Sequence, residues 1–178
     1  MITSNVFIVR GGDNLNKWDQ ITNDEFLEMY YRNIKRVYQI SMLYLKCYAD
    51  AEDIAQVVFL KYLKHQKKFD TLEHEKAWFI RVTINQCKDV RRCWWKSHRV
   101  DIDIIPEIHI EEENESDLLK EELLKLPNKY KEILFLYYME GFQVKEISML
   151  LSRNESTIRT QLSKGRELLR INMGGLYE

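Results

Sequence analysis

The stretch from Gly141 to Arg166, GFQVKEISMLLSRNESTIRTQLSKGR, admits few folds. Ile147, Leu150 and Leu151 fall on one face of a short helix. Ile158 and Leu162, spaced i, i+4, fall on one face of a second, so the two helices can close on each other. Between them Ser152-Arg153-Asn154 is a polar break. Asn154 suits an N-cap, and Glu155 suits the positive end of the second helix. The positions left facing outward are Thr157, Arg159, Thr160, Ser163, Lys164 and Arg166, donors and cations without a carboxylate among them. A helix that packs by one face and offers donors on the other meets the needs of a DNA major groove. A plain helical hairpin with a solvated basic face is the alternative that the stretch alone leaves open.

Upstream the pattern is helical again. Thr22 and Glu25 form a capping box, and Phe26, Met29, Tyr30, Ile34, Val37, Tyr38, Ile40, Leu43 and Tyr44 recur at helical spacing to about Cys47. Asp50 is expected to cap a second helix, Ala51 to about Lys68. There Ile54, Val57, Val58, Leu60 and Leu63 imply a core shared with the first, and Asp53 and Gln56 face out. After a break at Phe69 to Leu72, a long third helix runs from Glu73 to about Lys96. Its apolar positions are Trp78, Phe79, Val82, Ile84 and Val90, and its polar ones include Arg81, Asn85, Lys88, Arg91, Arg92 and Lys96. Trp94 and Trp95 lie among the cations, an arrangement that suits stacking on bases or the closing of a core. Only six Gly and two Pro in 178 residues agree with an all-α chain. A short strand at Val6 to Val9 would lack an obvious partner.

The net charge of −1 conceals a partition. Leu60 to Val100 holds eleven Lys/Arg against four Asp/Glu, a net of +7, while Asp101 to Glu122 holds ten Asp/Glu and one Lys, a net of −9. A basic block of that size can focus potential on a polyanion. The acidic run DIDIIPEIHIEEENES, 101–116, with its proline, reads as a linker. Four parts are therefore expected: a lead-in at 1–20, a helical domain at 21–100, the linker at 101–116, and a second helical domain at 117–178. In the second, Leu118, Leu119, Leu123, Leu124 and Leu126 form a stripe ending at Pro127. Asn128 then caps a helix with Ile133, Leu134, Leu136 and Tyr137 inward, and Gly141 ends it.

No paired carboxylates, nucleophile constellation or Gly-rich phosphate loop is present, so an enzyme is not expected. No cofactor is called for. Cys87, Cys93 and His98 match no standard metal spacing. Three cysteines without a secretory segment fit a reducing cytoplasm, and no apolar run reaches spanning length.

Three motifs in order carry a resemblance. Asp50-Ala51-Glu52-Asp53-Ile54-Ala55-Gln56-Val57-Val58-Phe59 resembles the core-enzyme-binding helix of bacterial sigma factors. Trp78 to Arg92 resembles their promoter-melting helix, and Leu126-Pro127, Glu140-Gly141 and Ile147 to Arg166 resemble their promoter-binding helix-turn-helix. The short linker resembles the extracytoplasmic-function group. The resemblance covers roughly Glu25 to Arg170. It implies a protein that binds core RNA polymerase and promoter DNA, with an anti-sigma factor as a further implied partner. Asp53 and Gln56 would meet polymerase. Arg81, Asn85, Lys88 and Arg92 would hold the minus-ten element, with base capture near Phe69 to His74. Thr157, Arg159, Thr160, Ser163, Lys164 and Arg166 would meet the minus-thirty-five element. The chain departs from the family at Val57, where an acid is usual, at Ser152, where glycine is usual, and at Gln161, where arginine is frequent. A helix-turn-helix regulator working without polymerase would leave Asp53, Gln56 and the basic third helix without a role. A protein-binding adaptor would leave the outward donors of the last helix unexplained.

Overall fold

The computed structural model describes residues 22–65, 68–97 and 122–174. Among them every regular element is helical. The N-terminal half is built from α1 (Asn23–Leu45), α2 (Tyr48–His65) and α3 (Leu72–Ser97). The C-terminal half follows a helical stretch at 122–125 with α4 (Asn128–Leu134), a π-helical turn (Phe135–Met139), α5 (Val144–Leu151) and α6 (Glu155–Gly174). The lead-in, the linker at 101–116, the Leu118–Leu119 part of the leucine stripe and the side chains of Trp94 and Trp95 lie outside the described residues.

α1 starts where the capping box requires. The Thr22 hydroxyl accepts from the Glu25 backbone N–H at 3.2 Å, and the Glu25 carboxylate accepts from the Thr22 backbone N–H at 2.8 Å. That carboxylate is held below the usual range by the backbone and hydroxyl donors of Thr22. α1 ends at Leu45, because Lys46 after it takes a φ of 55° that breaks the helix. α2 then begins at Tyr48, earlier than its composition suggests, so Asp50 lies in the first turn rather than at the cap. An acid there still faces the positive helix end.

The three helices close on Met29, Val37, Ile40, Ile54, Val58, Phe59, Phe79, Ile80 and Ile84, all nearly solvent-free. Aromatic rings tie α2 to α3: Phe59 lies 5.3 Å and Tyr62 5.7 Å from Phe79, and Phe69 of the connecting loop stacks on Tyr62 at 6.1 Å. Leu60, expected inside, is half exposed, because it shares the outer face of α2 with Asp53 and Gln56. One buried carboxylate braces the bundle. Glu75 accepts from Arg32 through both Nε and Nη2, at 3.1 and 3.0 Å, and from the buried Asn33 amide at 2.6 Å.

In the C-terminal half Leu126, Ile133, Leu134, Leu136, Ile147, Ile158 and Leu162 make the core. Pro127 sits at the N-cap of α4, and Asn128 is its first helical residue, so the asparagine does not cap it. The π turn shifts the register by one residue. Tyr137, expected inward beside Leu136, is therefore exposed with Tyr138 and Met139. Gly141 has a φ of 72°, which glycine adopts without strain. Gly165 lets α6 approach α4 closely: a Cβ there would lie 3.1 to 3.3 Å from Leu134 and Tyr130.

The two halves pack on each other, and their buried apolar side chains join in one cluster. α1 and α4 touch, as do α3 and α5.

Candidate nucleic-acid interface

α6 presents the face its sequence implies. Ile158 and Leu162 are buried against α5, while Thr157, Arg159, Thr160, Ser163, Lys164 and Arg166 are exposed. The turn before it places Ser152 at a φ of 54°, the left-handed conformation in which a glycine would be unstrained. Serine there costs about 1 kcal/mol. The cations are not bare. Arg159 pairs with Glu155 at 2.8 Å and Lys164 with Glu167 at 3.0 Å, both across exposed helix turns. Such pairs contribute about 0.5 kcal/mol or less and yield readily to a phosphate or a base. Thr160 donates its hydroxyl to the Ser156 carbonyl at 2.9 Å, and Arg166 Nε donates to the Leu162 carbonyl at 3.4 Å. Gln161 is half-buried and accepts from Arg153 at 3.4 Å, which ties it to the turn rather than to the outward row.

On α3, Arg81, Asn85, Lys88 and Arg92 are all exposed. Asn85, Lys88 and Arg92 recur at i, i+3, i+7 on one face. Arg92 pairs with Asp89 at 2.9 Å. Arg81 and Lys88 instead reach the other half of the chain. Arg81 Nη2 donates to the Met149 carbonyl of α5 at 3.3 Å, and Lys88 stands 3.9 Å from the Glu132 carboxylate of α4.

Two carboxylates of the C-terminal half hold further contacts across the seam between the halves. Glu132, 3% exposed, pairs with Arg153 at 2.5 Å, faces Lys88, and accepts the Tyr44 hydroxyl of α1. Burial pushes the Tyr44 phenol up, and the charge of Glu132 adds to the effect. Glu140 accepts from Arg36 Nε at 2.8 Å and stands 3.1 Å from Lys76, whose ammonium also donates to the Glu140 carbonyl. The pairing of neither carboxylate is legible in the sequence, because their partners lie up to 104 residues away.

At the base of α3, Phe69 packs on Tyr62 and Trp78 while Asp70, Thr71 and His74 are exposed. The Thr71 hydroxyl accepts from the His74 backbone N–H at 3.1 Å. On α2, Asp53, Gln56 and Leu60 form an outer row at i, i+3, i+7 with Val57 half-buried beside it. The Cys87 thiol is buried and its pKa is pushed up to about 12 by desolvation, so it is not a ready metal ligand. Among the described residues no group of three or more metal-ligating side chains occurs, and no helix is long and apolar enough to cross a membrane.

This three-helix half with a basic α3, followed by a helix-turn-helix half, coincides with two family matches. The Sigma-70 region 2 family matches residues 29–96, and the Sigma-70, region 4 family matches residues 116–169. The chain belongs to the sigma-70 family, in its extracytoplasmic-function group. The Bacillus subtilis ECF RNA polymerase sigma factor SigW is 25% identical over 171 residues, spanning 86% of this chain and 90% of that one. The RNA polymerase sigma factor SigV of the same organism is 29% identical over 139 residues, spanning 76% of this chain and 83% of that one. Among solved structures, Bartonella quintana RpoE in complex with the anti-sigma factor NepR shares the fold at a TM-score of 0.66 and 19% identity, with 83% of this chain and 95% of that one covered. CnrH in complex with the cytosolic domain of CnrY shares it at 0.58 and 15%, with 86% and 90% covered. As a sigma factor, the chain works in promoter-directed initiation of transcription with core RNA polymerase.

Proposed function

We propose a division of that work among named residues. The outer row of α2, Asp53 and Gln56, docks on core polymerase. Arg81, Asn85, Lys88 and Arg92 of α3 hold the minus-ten element, and the loop from Phe69 to His74 receives a base turned out of the duplex. Unstacking that base costs a few kcal/mol, which the basic surface of α3 offsets. Thr157, Arg159, Thr160, Ser163, Lys164 and Arg166 of α6 meet the minus-thirty-five element. Arg159 is the best base reader, because its planar fork matches a guanine edge. Thr157 and Arg166, nearer the ends of the outward row, hold phosphates and set position rather than sequence. The residues divide as 21–100 for polymerase and minus-ten contact, 101–116 as linker, and 117–178 for minus-thirty-five contact. The protein acts without catalysis of its own, in the cytoplasm. The relatives solved with anti-sigma partners make such a partner a reasonable regulator here.

The observation that carries this reading is α6. Ile158 and Leu162 anchor one side, and six donors or cations stand exposed on the other. The test is run-off transcription with purified core polymerase on a library of promoters. Transcripts that start at a defined subset only when this protein is added are expected. DNA binding with no polymerase-dependent transcript would favour a regulator that acts alone.

A further inference from the structure

Glu140 is seated in a site that the N-terminal half builds without it. Its side chain is 8% exposed. The carboxylate oxygen Oε2 lies 2.8 Å from Arg36 Nε and 3.1 Å from Lys76 Nζ, and the same ammonium donates to the Glu140 carbonyl. Behind Arg36 stands the buried Asn33. The Asn33 amide nitrogen donates to the Glu75 carboxylate at 2.6 Å and to the Met29 carbonyl at 3.0 Å, and its amide oxygen accepts from Arg36 Nη1 at 2.8 Å. That orientation is forced, because a carboxylate only accepts and a guanidinium only donates. Arg32 fixes Glu75 in turn through two hydrogen bonds. A continuous chain of bonds therefore runs from Glu75 in the first turn of α3, through α1, to the guanidinium that meets Glu140.

The C-terminal half fixes its own side of the contact. The Glu140 and Phe142 N–H groups donate to the Phe135 and Leu136 carbonyls of the π turn, at 3.1 and 3.0 Å, and Gly141 between them has its φ of 72°. The Phe142 ring centre lies 4.9 Å from the Lys76 ammonium. Two surfaces that are both formed beforehand lose little freedom on meeting, which favours the contact. Elsewhere along the seam the cations sit farther from their partners. Lys88 stands 3.9 Å from Glu132, and Arg81 donates to the Met149 carbonyl at 3.3 Å. The Tyr44 hydroxyl adds a neutral donor to Glu132.

We infer that Glu140 is an autoinhibitory latch. Seated between Arg36 and Lys76, it holds the C-terminal half against α1 and α3 and so keeps Arg81 and Lys88 engaged within the chain. Its release lets the halves part and frees both cations. Losing the charge at Glu140 is expected to raise the open-to-closed ratio about ten- to hundredfold, the weight of a hydrogen bond to a charged group.

This inference goes beyond the promoter roles proposed above. Its readouts are molecular shape and amine reactivity, without DNA, so either can fail without the other. The experiment compares the full wild-type chain with Glu140→Gln, which keeps the shape of the side chain without its charge, and with Arg36→Met, which empties the site from the other side. Each is measured by small-angle scattering and by limited acylation of amines, read by mass spectrometry against the exposed Lys145 of α5. In the wild type, Lys76 and Lys88 are expected to react more slowly than Lys145. In both variants the radius of gyration is expected to grow and Lys88 to react severalfold faster, although its own partner Glu132 is untouched. Glu167→Gln, which breaks an exposed pair within α6, is expected to change neither. Should one latch variant not fold, as judged by circular dichroism, the other decides, and should both fail, the wild-type rates decide. Wild-type Lys76 and Lys88 as reactive as Lys145, an unchanged radius and Lys88 rate in a folded latch variant, or the same change in Glu167→Gln would overturn the inference.

Discussion

The two helices that carry the cations proposed to meet the promoter keep those cations in different ways. On α6, Arg159 and Lys164 are paired within their own helix, to Glu155 and Glu167, in open solvent. On α3, Arg81 and Lys88 are engaged by atoms of the other half, and Lys88 faces a carboxylate that is almost entirely buried. Exposed pairs of the first kind cost almost nothing to exchange for DNA. Contacts of the second kind tie Arg81 and Lys88 to the C-terminal half. The α6 face is thus available in the compact protein, whereas the α3 face becomes fully available on separation of the halves.

The largest effect expected from this contrast is at Glu132. Glu132→Ala leaves Arg153 without its buried partner and removes the bonds to Tyr44 and Lys88. Breaking a buried pair on one side costs about 3–5 kcal/mol. Urea denaturation should show the loss as a lower midpoint, and an unchanged midpoint would mean that the seam contributes little. Next is Arg159→Ala, expected to cost about 1–3 kcal/mol at one promoter position and to relax preference there. Binding to a panel of single-base promoter variants measures it, and an equal loss on every variant would make Arg159 a phosphate contact. Arg166→Ala should weaken all those variants alike and lower the slope of affinity against salt by about one. The smallest effect is at Glu155. Glu155→Ala breaks the exposed pair with Arg159 and should move stability by no more than about 0.5 kcal/mol. A loss as large as that of Glu132→Ala would erase the distinction between the two faces.

Much of this could be read from local pattern. The Thr22–Glu25 box, the burial of Ile158 and Leu162 and the outward row of α6 depend on residues a turn or two apart, and helical periodicity displays them directly. The left-handed Ser152 was legible as the position where the family uses glycine. What pattern did not show was the seam. Glu132 finds Tyr44 across 88 positions, and Glu140 finds Arg36 across 104. Lys131 reads as one more surface cation beside Lys129, yet it is buried. Tyr137 faces outward because a π turn adds a residue that a period of 3.6 does not anticipate. The Leu60 side chain alone points to the core, but its spacing from Asp53 and Gln56 puts it on the outer face of α2. An exposed leucine beside two polar side chains suits the proposed docking of α2 on polymerase.

The assignment of melting to α3 and of position to α6 is tested most directly by permanganate footprinting of a promoter bound to core polymerase and this protein. The comparison is between the wild-type chain and one in which Asn85, Lys88 and Arg92 are all alanine. The account predicts that the variant still protects the minus-thirty-five element while thymines near the minus-ten element lose their reactivity. Normal reactivity in the variant would contradict it.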